Sequence, residues 1–438
     1  MIPNSPNYWI ENAQVPASLI VSTELEQTRE GLCLVDLEIA QGVIAQIVAA
    51  GNGSSNHTEA VDWRKGQVWP CFVDMHTHLD KGHIWERCAL TLNPDGTFAS
   101  ALEMAKSDRQ KYWQPEDVYR RMEFGIKCSY AHGTKAIRTH LDSFGEQAAI
   151  SLEVFKALQR EWADRVALQA VSLVSLDYYQ TPEGVALADQ IAEVGGILGG
   201  VAYMHPELEA QLDTVFSLAK ERELDLDFHT DENGDPNSIC LRKVAEATLR
   251  HTFTGQIVCG HCCSLAVQAS EVIQKTLELV KQAGIAIVSL PMCNLYLQDR
   301  KPNSTPRWRG VTALHELKRQ GIPVTVASDN CRDPFYGFGD HDVLEVFTQA
   351  VRIAHLDMPY GDWPRIVTTT AADLMGLPNV GRIGVGLPAD LILFKGRNFS
   401  ELLSRSQHDR IVLRTGKPID TALPDYDELD ELVAKDVL

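Results

Sequence analysis

The sequence predicts an α/β fold: a (β/α)8 TIM barrel with a small β-sandwich built from both chain ends. Three observations predict it. Short apolar runs of strand character recur eight times, with longer amphipathic helical stretches between them. The span they occupy matches the roughly 250 residues usual for a barrel of this kind. The segments before and after that span break the rhythm and read as short strands joined by turns. Eight alternating units favour a closed parallel barrel. A doubly wound open sheet is the competing architecture, and it calls for a Gly-rich phosphate loop after an early strand, which this sequence lacks.

The elements follow in order. Residues 18–21, 31–39 and 42–47 read as strands of an N-terminal part covering 1–67. The barrel is expected over 68–378. Its strands are placed at 68–76, 135–140, 166–174, 196–203, 224–229, 256–261, 285–290 and 324–329. Helical periodicity is clear at 118–131, 148–162, 208–220, 270–282 and 312–320, where apolar residues return every three or four positions. The remainder, 379–438, returns to short strands at 389–394 and 410–416. Chain termini often lie close together, so the two β-rich ends can pair with each other. The acidic tail from Asp425 reads as a surface helix or a disordered end.

Composition narrows the function. With 438 residues the chain can bury a large core in more than one domain. A formal net charge of -19 repels phosphate backbones, which argues against a nucleic-acid partner and for a small neutral or cationic substrate. The charge also serves solubility. The start of the chain, Met1-Ile2-Pro3-Asn4-Ser5-Pro6, shows no basic region followed by an apolar one, so no signal peptide is expected. No apolar run reaches the length of a membrane span. The ten cysteines are scattered without a framework, which fits a reducing cytoplasm. Cys259, Cys262 and Cys263 around His261 have no partner pair at zinc-ribbon spacing, and read as small buried hydrophobes.

Chemistry in barrels of this kind sits where the strands end. Five of the eight strand ends here carry metal-capable or proton-active groups. They are His76 and His78 on the first, His140 and Asp142 on the second, and His229 with Asp231 and Glu232 on the fifth. His261 ends the sixth and Asp329 the eighth. Side chains alternate along a strand, so His76 and His78 point the same way. The chain has only 14 histidines, and five of them stand at strand ends. Three imidazoles (His76, His78, His229) and the Asp329 carboxylate suit one divalent metal, zinc or iron, with a position left for water whose pKa the metal lowers. Glu232 lies three residues after His229 and can turn back as a proton carrier, and His261 is within reach of the same water. Each residue alone is commonly a satisfied polar side chain, and the set together points to a metal site.

At these residues the chain resembles the amidohydrolase superfamily, in particular its cytosine deaminase-like branch. The likeness runs from His76-Thr77-His78 through Arg138-Thr139-His140-Leu141-Asp142, His229-Thr230-Asp231-Glu232, His261 and Ser328-Asp329-Asn330 to the closing Gly384-Val385-Gly386-Leu387-Pro388-Ala389-Asp390. The resemblance implies metal ligands at His76, His78, His229 and Asp329. It implies that Glu232 protonates a ring nitrogen, that Asp329 accepts the proton of the attacking water, and that His261 polarises that water. Metal-bound hydroxide would then attack an amine-bearing ring carbon of a small nitrogen heterocycle. Two features depart from the cytosine enzymes. Ser175 stands where they carry a glutamine, and Asn330 stands where they carry a second aspartate. Asn330 and Lys81 are similar to relatives that remove alkylamines from triazine rings. Lys81, His140, Ser175 and Asn330 are therefore the expected substrate contacts. Alternatives are removal of an alkylamine from a triazine-like ring, hydrolysis of a cyclic amide or amidine, or a metal-binding scaffold or sensor without turnover. Relatives often form multimers, so the resemblance also allows for a homo-oligomer.

Overall fold

The computed structural model describes residues 2–21, 24–53, 59–89 and 96–433. The chain divides into two compact units. One comprises Met1–Asp74, Cys128–Ala136 and Asp342–Leu423, and the other Met75–Lys127, Ile137–His341 and Pro424–Leu438.

The second unit is built on eight strands: Phe72–Thr77, Thr134–Asp142, Ala167–Leu173, Leu198–Ala202, Leu226–Thr230, Ile257–His261, Ala286–Ser289 and Val324–Val326. The first two start on residues that belong to the other unit. The fourth to eighth strands pair in parallel and in sequence order. The first three form a second sheet in the same order. Parallel bridges Ser175↔Val201 and Thr77↔Asp329 join the two pieces at both edges. The result is a TIM-barrel-type α/β fold. Its strands are buried along nearly their whole length, and fully so in Ala286-Ile287-Val288-Ser289, because a parallel sheet covered by helices exposes neither face to water. Helices Pro115–His132, Glu146–Trp162, Leu208–Glu221 and Ser270–Gln282 fall where the periodicity places them.

Three details differ from the sequence reading. Residues 68–70 are not the start of the first barrel strand. Val68–Pro70 pairs antiparallel with Leu391–Leu393, and the Cys71 N–H donates on to the Asp390 carbonyl at 3.0 Å. Segment 18–21 is a short 3-10 turn, Ala17–Leu19, followed by a bridge from Ile20 to Ile383. Helices Phe98–Tyr112 and Val343–Ala354 lie outside the helical stretches singled out above.

In the first unit, one sheet has the order Val43–Ala49, Leu32–Ala40, Asn7–Pro16, Ala60–Asp62. The other has the order Lys417–Pro418, Ile411–Arg414, Leu391–Leu393, Val68–Pro70. Ile10, Val35 and Leu37 of one sheet and Leu391, Leu393 and Leu413 of the other share one apolar core. Strands from both chain ends thus face the same interior. In this unit Asp342 caps helix Val343–Ala354 at the Leu344 N–H and takes a two-pronged bond from Arg410, at 2.8 and 2.6 Å.

The tail lies with the second unit. Tyr426–Leu429 is a 3-10 turn and Asp430–Val433 a helical turn. Tyr426 stacks on Phe124, and Lys127 pairs with Glu428 at 3.0 Å. Among the described residues no helix is long and apolar enough to cross a membrane, and no disulfide forms among the ten cysteines.

Candidate active site

The site begins with how the first and eighth strands are stitched. Thr77 Oγ1 donates to the Asp329 carbonyl at 2.9 Å, and the Asp329 N–H donates to the His76 carbonyl at 2.9 Å. Thr77 points away from His76 and His78, as strand alternation requires, so it anchors the backbone while its neighbours face the centre. Asp329 and His261 both sit in the left-handed region, at φ 64 and 67. Non-glycine residues adopt that conformation at a cost, and it is found where a side chain must be aimed.

His76, His78, His229 and Asp329 converge. His78 Nε2 lies 3.2 Å and His76 Nε2 3.6 Å from Asp329 Oδ1, and the Nε2 atoms of His229 and His78 are 3.4 Å apart. The ligand-capable atoms of His76, His78 and Asp329 lie within 4.8 Å of one another, as do those of His76, His229 and His261. His76 depends on a close approach: a Cβ on Gly260 of the sixth strand would come 2.9 Å from its Cε1. All four residues are buried. Burial, and then the neighbouring imidazoles, hold His76 and His229 well below the ordinary histidine range. Burial and Lys81 lower His78. Burial alone would raise Asp329, but the His78 ring 3.2 Å away and the nearby His261 keep it below the usual carboxylate range. The rings are therefore neutral and the carboxylate ionised, which is the state in which these groups bind metal. His76 Nδ1 and Nε2 and both Asp329 oxygens are buried without a hydrogen-bond donor or acceptor of their own. Such orphaned atoms are costly unless a ligand completes them. The donor set fits one divalent metal.

Glu232 and His261 stand beside this cluster. Glu232 Oε1 is 3.3 Å from His261 Nδ1. The Asn294 amide serves both, donating to His261 Nδ1 at 3.0 Å and to Glu232 Oε1 at 3.4 Å. That bond assigns the free lone pair to Nδ1 and the hydrogen to Nε2. Burial, and then the Asp329 charge, push Glu232 well above the usual carboxylate range, while burial pushes His261 down to about 4.

These groups open onto a cavity of about 480 Å³. Lys81, Ser175 and Asn330 line it, together with His78, His229, Glu232, His261 and Asp329. His140 does not line it. Its ring is fully buried against His76, 3.9 Å between centroids, with Asp227 Oδ1 3.9 Å from its Nε2. It supports the His76 ring and does not reach the cavity wall. Asn330 is also engaged: its amide donates to Asp333 Oδ2 at 2.6 Å.

Asp142, marked above as a polar end of the second strand but given no role, is gripped by Lys81 at 2.7 Å and Arg109 at 2.8 Å. Other contributors escaped the sequence reading. Arg109 comes from helix Phe98–Tyr112, which also supplies Phe98 and Leu102 to the cavity wall. Phe144 and Phe335 add apolar surface. Asn294 follows the seventh strand on the short helix Pro291–Leu297.

Comparisons with known proteins agree with this geometry. The chain is 52% identical over 432 residues to a pterin deaminase of Rhizobium rhizogenes (strain K84 / ATCC BAA-868), covering 98% of both chains. It is 27% identical to the N-isopropylammelide isopropyl amidohydrolase of Pseudomonas sp. (strain ADP), over 82% of this chain and 86% of that one. The crystal structure of 5-methylcytosine deaminase from Klebsiella pneumoniae with 5-fluorocytosine superposes with a TM-score of 0.80 at 26% identity, covering 95% of this chain and 98% of that one. A family model described as "Amidohydrolase family" matches residues 123–415. The family implies a divalent metal, in keeping with the buried His/Asp cluster. The chain belongs to the amidohydrolase family.

Proposed function

We propose that this chain deaminates a ring of the pterin class. The broader class is a metal-dependent hydrolase of carbon–nitrogen bonds that removes an amine from a nitrogen heterocycle. The observation that carries the reading is Glu232, its carboxyl pushed up by burial and the Asp329 charge, beside a buried, uncompleted His/Asp set whose His78, His229 and Asp329 line the same cavity. A ring wider than a pyrimidine is favoured by the apolar wall of Phe98, Leu102, Phe144 and Phe335. The high identity to a pterin deaminase supports the same choice.

His76, His78, His229 and Asp329 would hold one divalent ion, zinc or iron. When bound, such an ion supplies Lewis acidity and makes water at an open position acidic near neutral pH. Asp329 takes the proton from the attacking water. Glu232 gives its proton to the ring nitrogen next to the amine-bearing carbon. His261, held by Asn294 with its hydrogen on Nε2, donates to the oxygen that develops charge at the tetrahedral carbon. The carbon–oxygen bond forms, Asp329 passes the water proton to the exocyclic amine, and the carbon–nitrogen bond breaks so that ammonia leaves; the remaining hydroxyl proton returns to Glu232 as the ring carbonyl forms. Lys81, Ser175 and Asn330 contact the ring edge. We read the two-sheet body drawn from both chain ends as the β-sandwich, and a reducing cytoplasm as the compartment suited to ten unbridged cysteines.

The test is ammonia and alkylamine release from a panel of pterin, cytosine, isoguanine, aminotriazines and alkylaminotriazines, with the metal-loaded enzyme. Ammonia from pterin at the highest kcat/KM is expected. Alkylamine release without action on pterin would replace this reading with the triazine one, which the N-isopropylammelide relative motivates.

A further inference from the structure

We infer that His83, Cys331 and His341 form a second metal site, separate from the cluster around His76, for a thiophilic divalent cation of the zinc type. The ligand-capable atoms of the three residues lie within 4.8 Å of one another. The residues are 2%, 1% and 2% exposed. The His83 imidazole is the second, independent sign: both its ring nitrogens are buried and have no hydrogen-bond partner. A buried imidazole left so is costly, and a cation shared with neighbouring donors removes that cost.

The donor set is two imidazoles and one thiolate. That combination selects zinc over magnesium or calcium, which want oxygen ligands. With zinc–sulfur near 2.3 Å and zinc–nitrogen near 2.0–2.1 Å, tetrahedral donors stand roughly 3.5 Å apart, so the cluster is already close to binding dimensions. The surroundings hold it there. The His83 N–H donates to the Cys331 carbonyl at 3.1 Å. Phe124 meets the His83 ring edge-on at 4.7 Å between centroids. Gly125 lies so close that a Cβ there would come 3.0 Å from His341 Nε2.

The site's position gives it a role. His83 ends the loop that carries Lys81, and Cys331 follows Asn330. An ion bound by both would brace the loop after the first strand against the loop after the eighth, and so fix two groups of the cavity wall. It would act as a structural staple with no part in the chemistry.

The experiment uses the full chain. Metal content is measured after loading with zinc, and again after exchange with cobalt, whose absorption is recorded. Two equivalents per chain and a thiolate-to-cobalt charge-transfer band are expected, since the proposed catalytic ligands include no thiolate. Cys331→Ser should lose one equivalent and the band. His78→Ala should lose the other equivalent and keep the band. One equivalent with no thiolate band in the unaltered protein would overturn the inference, as would a Cys331→Ser protein that keeps two equivalents and the band. These readouts do not depend on pterin turnover, so this inference and the substrate reading can fail separately.

Discussion

Glu232 Oε1 and His261 Nδ1 face each other at 3.3 Å, with one Asn294 amide reaching both. Burial drives the two groups in opposite directions, the carboxyl up and the imidazole down to about 4. Of the two, Glu232 therefore holds a proton to higher pH than an ordinary carboxyl, and His261 loses its proton at lower pH than an ordinary imidazole. Two titratable groups whose surroundings push them apart mark an acid–base assignment.

Glu232→Gln keeps the shape and the hydrogen-bond acceptor but removes the transferable proton. Metal content should stay at the unaltered level while kcat falls by about 10²–10⁴-fold, the usual worth of a general acid. Metal analysis and steady-state kinetics on one preparation check it. Full activity would remove Glu232 from the proton path.

Gly260→Ala places a methyl 2.9 Å from His76 Cε1. The ring must move, since strand backbone flanks it. Metal affinity should drop by about 10–100-fold, as when a ligand loses its support. Competition against a chelator measures this. Unchanged affinity would mean His76 is not a ligand.

Asn330→Asp would restore the residue pair found in cytosine enzymes, yet it sets a carboxylate against Asp333, whose Oδ2 now accepts from Asn330 at 2.6 Å. Rates on all ring substrates should fall together, by about tenfold, because a donor is exchanged for repulsion. A selective gain on cytosine would instead give Asn330 a direct part in reading the ring edge.

Asp342 and Arg410 set an acid limit on stability. Burial alone would raise Asp342, but Arg410, and then His132, hold it below the usual carboxylate range. A depressed folded pKa means the stabilisation is complete above the unfolded value near about 4 and fades as pH falls through the folded one. Asp342→Asn should cost about 3–5 kcal/mol at neutral pH, since it strands a buried guanidinium, and should flatten the acid side of the stability profile. Denaturant unfolding across pH 3–7 tests both parts, with the range set by about those two ionisation limits. A variant with the same acid slope would place the limit elsewhere.

The barrel strands were legible because they are compact apolar runs, several of them closed by a polar residue, as in Ile257–His261. The proposed ligands were legible for the same reason, since they are the polar residues that end those runs. The rest was hidden where function does not follow strand periodicity. Arg109 reaches Asp142 from a helix whose apolar face is short, and Asn294 reaches His261 from a seven-residue helix. His140 shows the reverse limit. Its place at a strand end marked it as a substrate contact, but alternation fixes only a face and not a depth, and His140 is fully buried against the His76 ring and does not line the cavity.

The stitch between Thr77 and Asp329 joins residues 252 positions apart. Bringing such distant segments together costs chain entropy that only the finished ring repays. His78 and Asp329, the proposed ligands nearest each other, meet across that seam. Metal capture therefore reports closure: a nascent or truncated chain ending before the eighth strand holds three imidazoles but lacks the anion that completes the set. Metal uptake during refolding should lag secondary structure and coincide with the last cooperative step, so the ion serves as a timer for the end of folding.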